Sequence, residues 1–313
     1  MKIGIIGSNQ FSDQFADAVN QVAGFEGEIT YSRRIKTAEE KKSTWGFAHA
    51  TDNLDSLLES TAEVIYLGSP NSLHYGHIMA CLNAGKHVIC EKPMVTTMAE
   101  YDAAYALADE KSLYLFEAYR HINAPNFKVL QKEVQNIGKV RYANLVFSKI
   151  SSKYNEFKKG IIGNAFNPKM QGGALNDLAV YPIAVAMGLF GPWQSLTYNK
   201  TLLENGVDGQ GVITLQYPDM ICNIMFSKIA NSHNLSEICG EQGEIIIENI
   251  GLIEKLIING QEVNENILEN DMVYEATRFL DIIQNNDQNT YRQLCKISRL
   301  TCKILDEAAN KKA

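Results

Sequence analysis

Three side chains of the sequence, an ammonium, a phenol and a carboxylate, are candidates for handling a proton beside a reacting carbon. The ammonium is Lys92, near the end of Gly85-Lys86-His87-Val88-Ile89-Cys90-Glu91-Lys92-Pro93. Residues 87–90 read as a short buried strand entered from a glycine turn, and the polarity changes abruptly at Glu91. Pro93 restricts Lys92 to extended geometry and permits a cis bond between the two. A lysine held in this way sits at a strand's carboxyl end, where open parallel sheets bind ligands. A lysine that merely solvates a turn is the alternative. The carboxylate and the phenol are Asp177 and Tyr181, in Gly172-Gly173-Ala174-Leu175-Asn176-Asp177-Leu178-Ala179-Val180-Tyr181-Pro182. Their i, i+4 spacing puts both on one face of a helix, although a tyrosine on an apolar helix is also an ordinary core residue. Pro182 predicts a kink or a late helix start there.

Such a set can take the proton of a secondary alcohol while a hydride leaves the carbon. A nicotinamide would do the hydride chemistry, and the protein would supply placement and proton transfer. Tyr181 is then the acid/base. A free phenol titrates near 10, so one working near pH 7 must fall by about 3 pH units, roughly 4 kcal/mol. A buried ammonium within hydrogen-bond distance is of the right size to supply much of that. This casts Lys92 as the cation for Tyr181 and as the group that polarises the substrate oxygen, the two coming from different domains to meet over the nicotinamide. Asp177 orients a substrate hydroxyl or Lys92, or simply caps its helix.

A place for the cofactor is readable at the start of the chain. Residues 2–6 are an apolar strand, Gly7-Ser8-Asn9-Gln10-Phe11-Ser12 a tight turn, and residues 13–22 a helix-like segment. That order opens a dinucleotide-binding fold. Gly7, Asn9 and Ser12 fill the three places of G-x-G-x-x-G, so only the first glycine survives. Asn tolerates left-handed backbone angles, which keeps the turn available, but its side chain crowds a pyrophosphate. The second strand, residues 28–31, ends on Ser32-Arg33-Arg34 and not on the acidic residue that would bind the ribose hydroxyls of NAD. A small hydroxyl followed by guanidinium suits a 2′-phosphate. NADP is therefore favoured, with NAD the second candidate; arginines that only solvate a loop are the bland alternative. Later strands end on Gly68-Ser69-Pro70-Asn71, on Glu91-Lys92-Pro93 and on Glu117. Repetition at successive strand ends is stronger than any single motif. His74 could line the same crevice, but with His77 at i, i+3 it reads more simply as a helix-surface or capping residue.

The elements that must position these groups are an α/β architecture in two domains, at 1–120 and 121–313, since 313 residues exceed what one core usually spans. The first alternates strands with helices. The second has an alternating strand at 139–150, an irregular polar region at 151–171, several strands between 195 and 263, and closing helices at 272–284 and 290–309. Ile245-Ile246-Ile247 is apolar on both strand faces, so both faces of that sheet should be covered, one by helices and the other by a second subunit. The net charge of −7 argues against a nucleic-acid or anionic-membrane surface. No apolar run approaches the roughly 20 residues that span a bilayer. Met1-Lys2 leads at once into a strand without the apolar segment of a secretory signal, and six scattered cysteines without C-x-x-C suit a reducing cytoplasm. No ligand set for a metal is visible.

Together the opening KIGIIGSN, YSRR, IYLGSPNSLHYGHIMACLNAGKHVICEKPM, LFEAYR, GGALNDLAVYP and GEQGEI resemble the Gfo/Idh/MocA family of NAD(P)-dependent oxidoreductases. The resemblance covers nearly the whole chain and is most specific at G-K-H-V-x-x-E-K-P. It implies a Rossmann domain, with a doubly wound parallel sheet, followed by an α/β domain on a large, mostly antiparallel sheet often used in dimerisation. It also implies a catalytic Lys92 and a sugar, polyol or trans-diol substrate. Tyr181, where many members carry histidine, is similar to the branch containing dihydrodiol dehydrogenase, glucose–fructose oxidoreductase and NADP-dependent xylose dehydrogenase. Asn9 departs from the fingerprint, and Gln171 stands where a third glycine is common. The competing class is a non-catalytic NADP-binding sensor with the same fold.

Overall fold

Ile3, Ile5 and Ile6 are buried in β1 (Lys2–Ile6), the strand around which a parallel sheet is wound. Its neighbours are β2 (Glu26–Tyr31), β3 (His49–Thr51), β4 (Val64–Leu67), β5 (His87–Glu91) and β6 (Leu115–Ala118), in the order β3-β2-β1-β4-β5-β6. The order reverses between β1 and β4, which makes that junction the ligand-binding crevice of such a sheet. The computed structural model describes residues 1–311. They divide into two compact units: Met1–Ala118 with Leu268–Lys296, and Tyr119–Ile267 with the chain from Ile297 onward.

The return of 268–296 to the first unit differs from a domain of 121–313. The reason is packing. Helix Met272–Asn285 buries Met272, Ala276, Phe279 and Leu280 in the core that holds Phe15, Tyr66 and Phe116. Phe279 stacks on Phe116 at 4.5 Å, and Phe15 on Tyr66 at 3.8 Å. Leu115 N–H donates to the Tyr291 hydroxyl at 3.1 Å. Burying one such aromatic side chain is worth about 2–3 kcal/mol, and an amphipathic helix pattern does not say which core it will join. Helix Met98–Glu110, absent from the sequence reading, crosses from β5 to β6, its first turn capped by the Thr97 hydroxyl, which accepts from Glu100 N–H at 3.3 Å.

The second unit is built on eight strands: β7 (Val140–Ser148), β8 (Ser195–Leu202), β9 (Asp208–Gln216), β10 (Ile221–Ser227), β11 (Ser236–Gly240), β12 (Gly243–Glu248), β13 (Lys255–Ile258) and β14 (Gln261–Val263). Their order is β14-β13-β12-β11-β7-β10-β9-β8. Among the described residues of this sheet, only β7 and β10 pair in parallel. The expected turns at Pro218-Asp219, Glu241-Gln242 and Asn259-Gly260 join β9 to β10, β11 to β12 and β13 to β14. Strand residues alternate between a buried face and a more open one; Ile245 and Ile247 are buried while Ile246 is half-buried. Contrary to expectation, one run, Pro168–Phe190, is long and apolar enough to cross a membrane by length and composition, with mean hydropathy 1.4. One short 3₁₀ turn, Pro168–Met170, and a π-helical turn interrupt it, and 67% of its apolar window is buried inside the protein, so it serves as core.

Candidate active site

The turn after β1 is held from both sides. Gly7 N–H donates to Tyr31 O at 3.2 Å, and Gly68 N–H to Ile6 O at 2.7 Å. Asn9 makes no use of its tolerance for left-handed angles; its φ and ψ are −83° and 177°. It is the N-cap of helix Gln10–Gln21, its side-chain oxygen accepting from Ser12 N–H at 3.0 Å while its amide donates to Gly68 O at 2.8 Å. The side chain expected to crowd a pyrophosphate thus ties the turn to the end of β4. A Cβ on Gly7, whose φ is +125°, would come within 2.6 Å of the Gly68 carbonyl oxygen, so the first place of the turn requires glycine. Beyond it, Ser8, Gln10 and the exposed Phe11 surround a helix N-terminus whose first-turn N–H groups lack intrahelical partners. Such an end favours a phosphate.

Pairing of β1 with β2 sets Ser32 and Arg33 beside that turn, Ile6 lying opposite Tyr31. Ser32 N–H donates to Thr51 O at 3.2 Å. Arg33 and Arg34 are exposed, and neither guanidinium pairs with a carboxylate among the described residues. Two uncommitted guanidinium groups next to a phosphate-binding turn fit the 2′-phosphate of NADP.

At the ends of β4 and β5, Lys92 is half-buried and its bond to Pro93 is cis. The preceding Glu91 is buried and accepts from the Tyr66 hydroxyl at 2.6 Å; burial, reinforced by Glu91, pushes that phenol well above its usual range. Glu117 is also buried, and its Oε1 accepts from Met94 N–H at 2.8 Å. His74 is a correction: it lies wholly inside, not on the helix surface. Its Nδ1 lies 2.9 Å from Pro93 O and its Nε2 2.8 Å from Ser69 O. Burial outweighs the two carbonyls and holds the ring below the usual histidine range, so as a neutral ring it donates to one carbonyl at a time. His74 therefore brackets Ser69 and Pro93, while His77 Nδ1 contacts Ser69 Oγ at 3.0 Å. Asn71 begins helix Asn71–Asn83 with Pro70 as its N-cap. Cys90 is inert: burial pushes its thiol far above the usual range. Among the described residues no group of three or more His, Cys, Asp or Glu is placed to hold a metal.

In the second unit the disturbance expected at Pro182 takes the form of a π-helical turn, Leu175–Ala179, running into helix Val180–Phe190. Pro182 stands in the first turn of that helix, where its missing N–H costs nothing. Single π turns gather at functional sites. Asp177 is on this turn and Tyr181 on the helix start. Tyr181 is 8% exposed. Its ring lies 5.1 Å from that of His121 and 5.2 Å from that of Phe147, and its backbone carbonyl accepts from His121 Nε2 at 3.1 Å. Asp177 accepts from Lys228, a lysine only 2% exposed. The Gly172-Gly173 loop is packed as tightly: a Cβ on Gly173 would sit 2.1 Å from Asp208 Oδ1. Gln171 precedes it with φ 55°. Asp208 accepts from Leu175 N–H at 2.6 Å and from the Tyr198 hydroxyl at 3.1 Å, and burial holds its carboxyl above the usual range despite those bonds. Lys228, Asp208 and His121 are absent from the sequence reading. Lys228 follows an alternating strand directly, Ile224-Met225-Phe226-Ser227, and that position alone hints at burial.

A family model described as the oxidoreductase family with an NAD-binding Rossmann fold, GFO_IDH_MocA, matches residues 1–119. A second, the GFO/IDH/MocA C-terminal domain, matches residues 133–246. The chain is 34% identical to scyllo-inositol 2-dehydrogenase (NADP(+)) IolU of Bacillus subtilis over 98% of its length and 96% of the relative's. It is 24% identical to trans-1,2-dihydrobenzene-1,2-diol dehydrogenase of Mus musculus, over 98% and 96%. Among solved structures, an oxidoreductase from Thermotoga maritima superposes with a TM-score of 0.87 at 21% identity, covering 99% of this chain and 96% of that one.

Proposed function

The chain belongs to the Gfo/Idh/MocA family of NAD(P)-binding oxidoreductases, and from that premise we propose that it oxidises a ring hydroxyl of a cyclic polyol with NADP⁺. It is an NAD(P)-dependent dehydrogenase acting on CH–OH groups; the polyol and the choice of NADP are the proposal. The observation that carries the cofactor choice is the pair of exposed guanidinium groups, Arg33 and Arg34, beside the Gly7 turn. The polyol rests on the relative that uses scyllo-inositol and NADP⁺ and matches end to end.

When bound, the nicotinamide accepts the hydride. The residues assigned to hold the cofactor are those of the strand ends: Gly7 to Phe11, Ser32 to Arg34, Gly68 to Asn71, and Glu91 to Pro93, with His74 and Glu117 bracing them. Lys92 is assigned to polarise the substrate oxygen, Tyr181 to accept the hydroxyl proton, and Asp177 to accept a hydrogen bond from a neighbouring hydroxyl. Incubating the enzyme and NADP⁺ with scyllo-inositol, myo-inositol, D-xylose, D-glucose and a cyclic trans-diol should give NADPH fastest with an inositol. NADP⁺ that binds but is reduced by none of them would return the chain to the sensor class.

We further assign the open face of the eight-stranded sheet to a homodimer contact. A hydrogen-bonded ladder crosses that face: Thr214 donates to Asn223 at 2.9 Å, Asn223 to Asn144 at 3.2 Å, and Asn144 to Glu237 at 2.9 Å. Exposed Tyr142 and Ile221 flank it on one side and Met225 on the other, each more than 40% exposed. An apolar patch around a satisfied polar row suits an interface. Sedimentation equilibrium should find a dimer that Met225→Glu converts to monomer; a wild-type monomer would remove the assignment.

A further inference from the structure

Three separate stretches of the second unit converge on one ammonium. Lys228 lies just past β10, anchored by its backbone N–H to Gly209 O at 2.9 Å, and its carbonyl accepts from Ser151 N–H at 2.9 Å. Its side chain is 2% exposed. The ammonium donates to Ala165 O, to Gly173 O at 3.4 Å and to the Asp177 carboxylate, and sits 4.6 Å from the centroid of the Phe166 ring. Asp208, which holds Leu175 N–H, is close enough to feel the same charge. A buried cation persists only when its charge and its donors are matched. Here the matching groups come from the irregular segment around 165, from the glycine loop, and from the π turn. No single one of them satisfies the ammonium, so the ammonium ties their positions together.

We propose that Lys228 is a positioning residue, which keeps Asp177 aimed and fixes the irregular segment and the π turn that leads into Tyr181. The proposal rests on the reading that Asp177 and Tyr181 serve the reaction. With its side chain only 2% exposed and its donors committed, Lys228 acts through Asp177 and through the backbone at Ala165 and Gly173. The irregular segment and the catalytic turn are thereby one mechanical piece: a change that releases one releases the other.

The test compares wild type with Lys228→Met, which keeps the bulk and removes the charge, and with Lys228→Arg, which restores a charge. Amide hydrogen exchange on the full-length protein should accelerate in Lys228→Met within 164–181 and stay unchanged in β8 to β11. With scyllo-inositol and NADP⁺, turnover of Lys228→Met should fall by about 100-fold, the cost of an ångström-scale misplacement, with the Kd for NADP⁺ unchanged. Lys228→Arg should recover most of both losses. Unaltered exchange at 164–181, or exchange that accelerates uniformly through the whole sheet, overturns the proposal. So does full turnover in Lys228→Met where Asp177→Asn is impaired. If Asp177→Asn and Tyr181→Phe themselves retain full turnover, the catalytic reading fails, and the exchange pattern alone decides whether Lys228 is the anchor.

Discussion

Lys92→Met and Tyr181→Phe, measured separately with saturating NADP⁺, should each lower turnover by about 10²- to 10⁴-fold, the range spanned by loss of a positioned proton-transfer group. The two losses differ in kind. Methionine keeps the reach of Lys92 and deletes the cation, so the substrate oxygen loses its electrostatic partner. Phenylalanine keeps the packing of Tyr181 against His121 and Phe147 and deletes only the hydroxyl, so stability should change little while proton transfer stops. Groups that act as a unit are not additive. The double variant should therefore be scarcely worse than the poorer single one. Retention of turnover within about tenfold by both single variants, ~1.4 kcal/mol in barrier, would remove both residues from the chemistry.

Arg33→Ala should raise the Kd for NADP⁺ by roughly 10- to 100-fold, matching about 1.5–3 kcal/mol for a hydrogen bond to a charged group, and leave the Kd for NAD⁺ unchanged. The selectivity is the point. Arg33 is exposed and has no ion-pair partner among the described residues, so its removal leaves no orphaned carboxylate there and disturbs no packing. A phosphate contact is also screened by salt, so the advantage of NADP⁺ over NAD⁺ should narrow as ionic strength rises. Equal weakening of both cofactors would show that the arginine supports the turn and does not read the phosphate.

How much of this was legible in the sequence differs from one group to another. The strand ends were readable because each is a local event: an apolar run of four to six residues stops at glycine, proline or charge, and the parallel sheet brings those stops to one edge. The disturbance at Pro182 was readable for the same reason, since a proline acts on its own turn. The capping role of Asn9 went unread because backbone tolerance was weighed without its side chain, although Asn is among the preferred N-cap residues. Helix Met98–Glu110 was missed despite Thr97 and Glu100, whose spacing is that of a capping box. The burial of Lys228 is hinted at by its strand, but its partners lay beyond reach: Ala165, Gly173 and Asp177 are some 50 to 60 residues away in sequence. They meet it only once β10 has paired with β7 and β9. His74 likewise shows its role only when two strand-end loops supply carbonyls to one ring.

The hydride itself gives the most direct test. Scyllo-inositol carrying deuterium at its ring carbons, incubated with NADP⁺ and this enzyme, should yield NADPH with one deuterium at nicotinamide C4 and an inosose, with a primary isotope effect on turnover if hydride transfer limits the rate. Bound NADP⁺ with no deuterium transferred from this or any other polyol would contradict the account and leave a nucleotide-binding protein without the chemistry assigned to it.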